Sequence, residues 1–335
     1  MDKNIHLALN ASERSYFAIL KKEIHAMAIA GGLSEKRVAE IDIIVAEIVT
    51  NLVKHAGGGQ VLAKLIEENG EQGIELISID NGPGMTDVTR MVADGVSTKK
   101  TLGNGLGAMK RLSDVFQIYS NKNWGTVILI RVFNKPPAKA FKTEIRSVII
   151  PKPGETESGD NLYSIVDNNH VKLFLGDGLG HGPEAAKAMR VAGEAFMACN
   201  HTDPVEIIRY INLAVKRTRG MVGTVAVFDH PARKWRICGV GNIITKVFNP
   251  ESNKSYLAYN GIIGLNVPNT LNVQEIPYED GQYILMSSDG LKTRWDTSKY
   301  TSITRFDLSI LCASLIKDFA RLTDDMSVVA CKINL

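Results

Sequence analysis

This sequence predicts two α/β domains of α+β character in tandem, each a sandwich of helices on sheet. Three observations carry the prediction. Its 335 residues are more than one ordinary hydrophobic core organises. The segment Asn134-Lys135-Pro136-Pro137-Ala138-Lys139 places two prolines in a row, which neither extend a helix nor donate to a sheet, so it suits an exposed linker. On either side of that linker, strand-length apolar runs alternate with segments of helical periodicity.

In chain order, Lys36 to about Val53 reads as an amphipathic helix, because Ile41, Ile44, Val45, Ile48 and Leu52 recur at helical spacing. Ala56-Gly57-Gly58-Gly59 ends it, glycine being suited to the left-handed stop. Strands are expected at Val61–Ile66 and Ile74–Ile79, joined by the turn Glu68-Asn69-Gly70-Glu71. A helix over Gly107–Phe116 and strands at Phe116–Ser120 and Thr126–Phe133 complete the first domain. Beyond the linker, strands are expected at 144–150, 162–166, 170–175, 224–228, 234–240, 243–248, 282–287 and 326–331. Helices are expected at 183–199, 204–219 and 308–319. The boundaries are 1–134 for the first domain, 135–143 for the linker and 144–335 for the second.

Composition removes several classes of function. Lys and Arg total 39 against 36 Asp and Glu, and no basic block or aromatic-interleaved basic stripe is present, so nucleic-acid binding has no footprint. No apolar run nears the ~18 residues of a membrane span. The N-terminus lacks a signal-peptide pattern. The four cysteines, Cys199, Cys238, Cys312 and Cys331, form no CxxC or zinc spacing, which fits reduced thiols in a cytoplasmic protein.

Glu47 and Asn51 stand four apart, on one helix face, with Lys54 and His55 a turn later. An amide oxygen suits hydrated Mg2+, a carboxylate can take a hydroxyl proton, and a lysine can meet phosphate. By itself such a pair is usually a solvated one. Asp80-Asn81-Gly82-Pro83-Gly84 follows an apolar strand, so Asp80 sits at a strand end and can accept from an adenine amine, although an ordinary turn explains the same residues. Gly103-Asn104-Gly105-Leu106-Gly107 opens a helix, whose N-terminal N–H groups form a phosphate cradle. A dinucleotide site would place its glycines directly after the first strand; the segment before Gly103 is a polar loop instead.

The order Glu-x3-Asn-x2-Lys-His, Asp-x-Gly-x-Gly, Gly-x-Gly-x-Gly resembles the GHKL ATPase superfamily, and within it the RsbT/RsbW/SpoIIAB serine kinases of bacterial partner-switching systems. The resemblance spans residues 1–134 and implies a GHKL-type α/β sandwich. It implies that Asn51 holds Mg2+, Glu47 is the base, Lys54 meets phosphate and Asp80 reads adenine. Gly82 and Gly84 would pass beneath the base, and Gly103, Gly105 and Gly107 would close on the phosphates of ATP.

The second half repeats a pattern of acidic residues at strand edges: Asp160, Asp177-Gly178, Ser288-Asp289-Gly290 and Asp324-Asp325. Each alone reads as a turn. Together, carboxylates clustered at a sandwich edge would repel unless cations joined them, and oxygen donors suit Mg2+ or Mn2+. Two such ions can lower the pKa of a bridging water for attack on phosphorus. His181 reads as a surface residue, Asp324 as a cap or a contact supporting Asp325, and Cys199 has no base partner.

This order is similar to the PPM-type Ser/Thr phosphatases, in the SpoIIE/RsbU/RsbX branch, with further matches at Arg219-Gly220-Met221-Val222-Gly223-Thr224 and Gly239-Val240-Gly241-Asn242. The resemblance covers about residues 140–335 and implies an α/β/β/α sandwich. Asp160, Asp177, Asp289, Asp325 and the Gly178 carbonyl would bind two Mn2+ or Mg2+ ions. The implied function is a partner-switching regulator that dephosphorylates phosphoserine or phosphothreonine on a small STAS-type antagonist and phosphorylates a related partner. The alternative is an N-terminal ATP sensor or anti-sigma module that gates the phosphatase. A sigma factor is a further candidate partner, and the resemblance allows a homodimer.

Overall fold

The computed structural model describes residues 4–12, 16–92, 105–138, 142–249 and 253–335. Gly103, Asn104 and the preceding polar loop therefore lie outside the described residues, as does Lys139 of the linker. The chain divides into two compact units, Met1–Ala140 with Tyr300–Ser314, and Phe141–Lys299 with Leu315–Leu335.

The first unit is built on β1 (Leu7–Asn10), α1 (Tyr16–Ala30), α2 (Glu35–Asn51), β2 (Gln60–Glu68), β3 (Glu71–Asp80), α3 (Val88–Val92), α4 (Gly105–Leu112), β4 (Val115–Asn121) and β5 (Gly125–Phe133). The strands form one antiparallel sheet in the order β1-β2-β3-β5-β4. At the β2–β3 hairpin, Asn69 and Gly70 both take positive φ, 51° and 80°, the conformation that Asn-Gly favours and that suits the strands' twist. Alternation along the strands sends Val61, Ala63, Ile74, Leu76, Ile128, Ile130 and Val132 into a core with α1, α2 and α4. The stripe read from α2 is buried as expected: Ile41, Ile44, Val45 and Ile48 are covered, each worth about 1.5–3 kcal/mol.

Two expected helix ends are corrected. The helix expected to reach Phe116 stops at Leu112, and Phe116 instead pairs with Ile130 in the sheet. Ser113 turns the chain there by bonding its hydroxyl to the Met109 carbonyl at 2.8 Å, a local competitor of the helix ladder. The helix expected to reach Arg219 stops at Ala214 and tightens into a 3-10 turn over Val215–Arg217. The sequence reading also missed β1 and α1.

The second unit carries β6 (Thr143–Ile150), β7 (Asp160–Val166), β8 (His170–Gly178), α5 (Pro183–Ala198), α6 (Pro204–Ala214), β9 (Met221–Asp229), β10 (Lys234–Val240), β11 (Ile244–Phe248), β12 (Asn253–Tyr256), β13 (Gln274–Pro277), β14 (Tyr283–Ser287) and β15 (Met326–Ile333). Helix α7 (Leu308–Phe319) precedes β15, and its residues divide between the two units. The sheets run β13-β10-β9-β8-β7 and β12-β11-β14-β15-β6. Helices α5 and α6 pack against the first sheet. All of β9 but its last residue is buried, which requires a layer on each face of that sheet. Among the described residues, no helix is long and apolar enough to cross a membrane.

Candidate functional site

In the first unit, α2 brings Glu47 and Asn51 onto one face and then widens into a π-helical turn over Leu52–Ala56. Gly57 ends that turn in the left-handed conformation, at φ 73°. A wide turn of this kind is rare and often marks a functional position. The Asn51 amide nitrogen is buried with no hydrogen bond. The start of α4 lies directly over the pair: a Cβ on Gly105 would sit 2.7 Å from Glu47 Oε2 and 3.8 Å from Asn51 Oδ1. Glycine at 105 is thus needed for the start of α4 to approach these side chains. Gly107 is buried within α4.

Asp80 closes β3, and its Oδ1 accepts from the N–H of Gly82 at 2.8 Å and of Thr126 at 3.2 Å. The glycines after it are explained by the chain itself. A Cβ on Gly82 would press on Ala56, and one on Gly84 would collide with the Asn121 carbonyl. Lys54 lines a cavity of about 500 Å³ with Phe17, Ala18, Val49, Thr50 and Val53, and the described lining includes neither Glu47 nor Asn51.

In the second unit, the acidic residues meet where the two sheets end together. Asp160 on β7 stands opposite Asp177 on β8, so Asp177 belongs to the strand and not to the turn after it. Asp289 follows β14, and Asp325 immediately precedes the neighbouring β15. Ser288 ties the sheets: its hydroxyl donates to Asp160 Oδ2 at 2.6 Å and accepts from the Ser327 N–H at 3.1 Å. Asp325 accepts from the Lys152 and Gly159 N–H groups, both at 2.7 Å. Asn242 donates to Asp289 Oδ2 at 2.8 Å. Asp324 accepts from the N–H of Asp325 at 2.9 Å.

Every one of the four carboxyls is pushed up in pKa. Burial raises Asp160 to about 8, and Asp325 and Asp289 add to it against the Ser288 hydrogen bond. Burial lifts Asp177 well above the carboxylate range, helped by Asp160, Asp289, Asp324 and Asp325. Asp289 and Asp325 rise for the same two reasons, desolvation and then Asp324. Asp160 Oδ1 is buried without a partner. A Cβ on Gly159 would press on Ala185 at 2.8 Å and sit 3.0 Å from Asp325 Oδ2 and 3.3 Å from the Gly178 carbonyl, so glycine lets these groups close up.

Among the described residues, no group of three or more His, Cys, Asp or Glu side chains stands ready to hold one ion. Oxygen-only donors and an orphaned carboxylate oxygen suit hard divalent cations that keep much of their water. His181 is exposed, its Nδ1 2.8 Å from Glu155 Oε1. Cys199 is buried and unpaired. Sequence reasoning passed over Ser288 and Asn242 as supporting groups, though both stand in motifs it had marked. The Lys152 and Gly159 donors are backbone groups and leave no signal in residue type.

Residues 167–334 match the family model for stage II sporulation protein E (SpoIIE), and residues 10–132 match the histidine kinase-like ATPase domain. Asp160 lies just before the first of these spans. The chain is 37% identical over 90 residues to the serine/threonine-protein kinase RsbT of Bacillus subtilis (strain 168), covering 68% of that protein and 27% of this chain. A solved chain of the bacterial stressosome, a modular system that has been adapted to control secondary messenger signaling, is similar at 28% identity and TM-score 0.54, covering 57% of this chain and 100% of that one. RsbX in complex with magnesium is similar at 18% identity and TM-score 0.49, over 65% of this chain and 98% of that one. An RsbT-like ATPase domain and a PPM-type Ser/Thr phosphatase domain are thus joined in one polypeptide, and the chain belongs to the stage II sporulation protein E (SpoIIE) family.

Proposed function

We propose that this protein is a cytoplasmic partner-switching regulator: its second unit hydrolyses phosphoserine or phosphothreonine on a small STAS-type protein, and its first unit phosphorylates a related partner from Mg-ATP. One observation carries the phosphatase half. Four carboxyls converge, all with raised pKa, where burial and mutual repulsion disfavour ionisation unless cations are supplied. Asp160, Asp177, Asp289, Asp325 and the Gly178 carbonyl would hold two Mn2+ or Mg2+ ions. Cations at such a centre supply Lewis acidity, lowering the pKa of water and neutralising phosphoryl charge.

The chain's own groups do the positioning. Ser288 holds Asp160 across the sheets, Asn242 holds Asp289, and the Lys152 and Gly159 N–H groups hold both oxygens of Asp325. In the first unit, Asp80 is fixed by two backbone donors to face a base, Asn51 would meet Mg2+, and Glu47 would take the proton of an acceptor hydroxyl. Transfer is favoured over passive ATP sensing because Glu47 and Asn51 lie together under Gly105. Binding a sigma factor through this unit, or self-association, would be compatible with the same surfaces.

The test uses the full chain, labelled ATP, Mn2+ and a STAS-domain protein in both phosphorylation states. Phosphate release that disappears in Asp289→Ala, and label transfer that disappears in Glu47→Ala, are the expected results. Release that survives in Asp289→Ala overturns the metal assignment; ATP binding without any transfer overturns the kinase.

A further inference from the structure

Arg219 stands against the turn that follows Asp177 and Gly178, with its charge uncommitted. Among the described residues its guanidinium makes no hydrogen bond or ion pair, and the side chain is exposed. It is nevertheless placed by a built turn. The Thr218 hydroxyl donates to the Val215 carbonyl at 2.7 Å and accepts from the Gly220 N–H at 3.1 Å. Gly220 takes φ +81°, a conformation that glycine adopts without strain. Its carbonyl then accepts from the Leu179 N–H at 3.1 Å, two residues after Asp177. The turn that carries Arg219 is thereby stitched to the turn that carries Asp177 and Gly178.

The guanidinium lies against that second turn. A Cβ on Gly180 would sit 3.0 Å from Arg219 Nη1, and Gly180 itself has φ +81°. A side chain at 180 would press on the guanidinium. The neighbouring Arg321 differs: its charge acts on Asp289, lowering that carboxyl's pKa. Among the described residues, Arg219 is thus an unpartnered cation lying against the turn that follows Asp177 and Gly178, open to an incoming anion.

We infer that Arg219 binds the phosphoryl group of the substrate, donating to a non-bridging oxygen of the phosphoserine or phosphothreonine ester. A planar fork of N–H donors matches phosphate geometry, and a dianionic ester needs charge from outside a cluster of carboxylates. This inference rests on the phosphatase reading of the second unit.

The full-length protein and its Arg219→Ala and Arg219→Lys variants are compared in Mn2+, with p-nitrophenyl phosphate and a phosphoserine peptide as substrates. Binding of inorganic phosphate is measured separately by calorimetry, and folding by thermal melts. Losing one charge-assisted contact should raise KM for both esters about tenfold or more and weaken phosphate binding by a similar factor. The melting temperature should stay unchanged, and Arg219→Lys should recover part of the loss. Unchanged KM for the small ester together with unchanged phosphate affinity overturns the inference, even if affinity for a whole phosphoprotein falls, because Arg219 would then dock protein surface. Should the wild type hydrolyse neither ester, the phosphatase reading fails by itself, while the calorimetric comparison of wild type and Arg219→Ala still decides the role of Arg219.

Discussion

Glu75 in the first unit is 1% exposed and Asp160 in the second is 0% exposed, yet the two buried carboxyls titrate in opposite directions. Burial works to raise the pKa of Glu75, but Lys64, Arg131 and His6 outweigh it and hold it well below the ordinary value. Arg131 Nε donates to Glu75 at 2.7 Å, His6 Nε2 lies 3.3 Å away and Lys64 Nζ 3.5 Å away. The same guanidinium donates in bidentate fashion to Asp307, at 2.7 and 2.9 Å. Asp160, desolvated among neighbours of its own sign with only serine hydroxyls to oppose them, is pushed up to about 8. Burial is common to both. The difference is where the compensating charge comes from: the chain supplies it to Glu75 and supplies none to Asp160, for which we propose a bound cation.

The largest test of this contrast is Asp177→Asn. Phosphate-ester hydrolysis should fall about a thousandfold or more, since Lewis-acid help to the transition state is worth several kcal/mol. In chelator, the same variant should melt higher than wild type, because one of four repelling carboxyls has gone. A lower melting temperature there would break the contrast. Arg131→Leu should do the reverse: denaturant unfolding should show a loss of about 3–5 kcal/mol, the cost of stranding buried charge, with or without divalent cations. A loss under 1 kcal/mol would mean that Glu75 is not ionised.

The smallest effect per unit is in pH. Unfolded, Asp160 releases its proton near 3.8, whereas folded without metal it keeps it to about 8. Stability of the chelated protein should therefore be full below pH 4 and decline as pH rises through that window, by at most about 1.4 kcal/mol per pH unit for each proton. Excess Mn2+ should reverse the slope by competing better as protons leave. Glu75 contributes with the other sign, its stabilisation present above about 4.5 and lost as pH falls below it. Melting curves with and without Mn2+ between pH 4 and 9 separate the two.

Short-range chemistry was legible from residue order alone. The Asn69-Gly70 hairpin, the buried stripe of α2, the Glu47 and Asn51 pairing and the strand-edge placement of Asp160, Asp289 and Asp325 each depend on residues within a few positions of one another. Segments whose structure depends on distant partners were not legible. Phe116 joined a strand because Ile130 pairs with it, and β12 and β13 are short strands defined by pairing to β11 and β10. The packing of Gly82 on Ala56 and of Gly84 on the Asn121 carbonyl is likewise set by distant partners.

The sequence by itself determined the two chemistries, because the kinds of groups present, and their spacing on helix faces and strand ends, follow from local geometry. Only the tertiary structure decided how each carboxylate is held and charged. It set Ser288 on Asp160 from 128 positions away and the Lys152 N–H on Asp325 from 173 away. It also placed Asp307 against Arg131 in the first unit, 176 positions along the chain. Desolvation and Coulomb energy depend on distance in space, and sequence separation carries no measure of that distance.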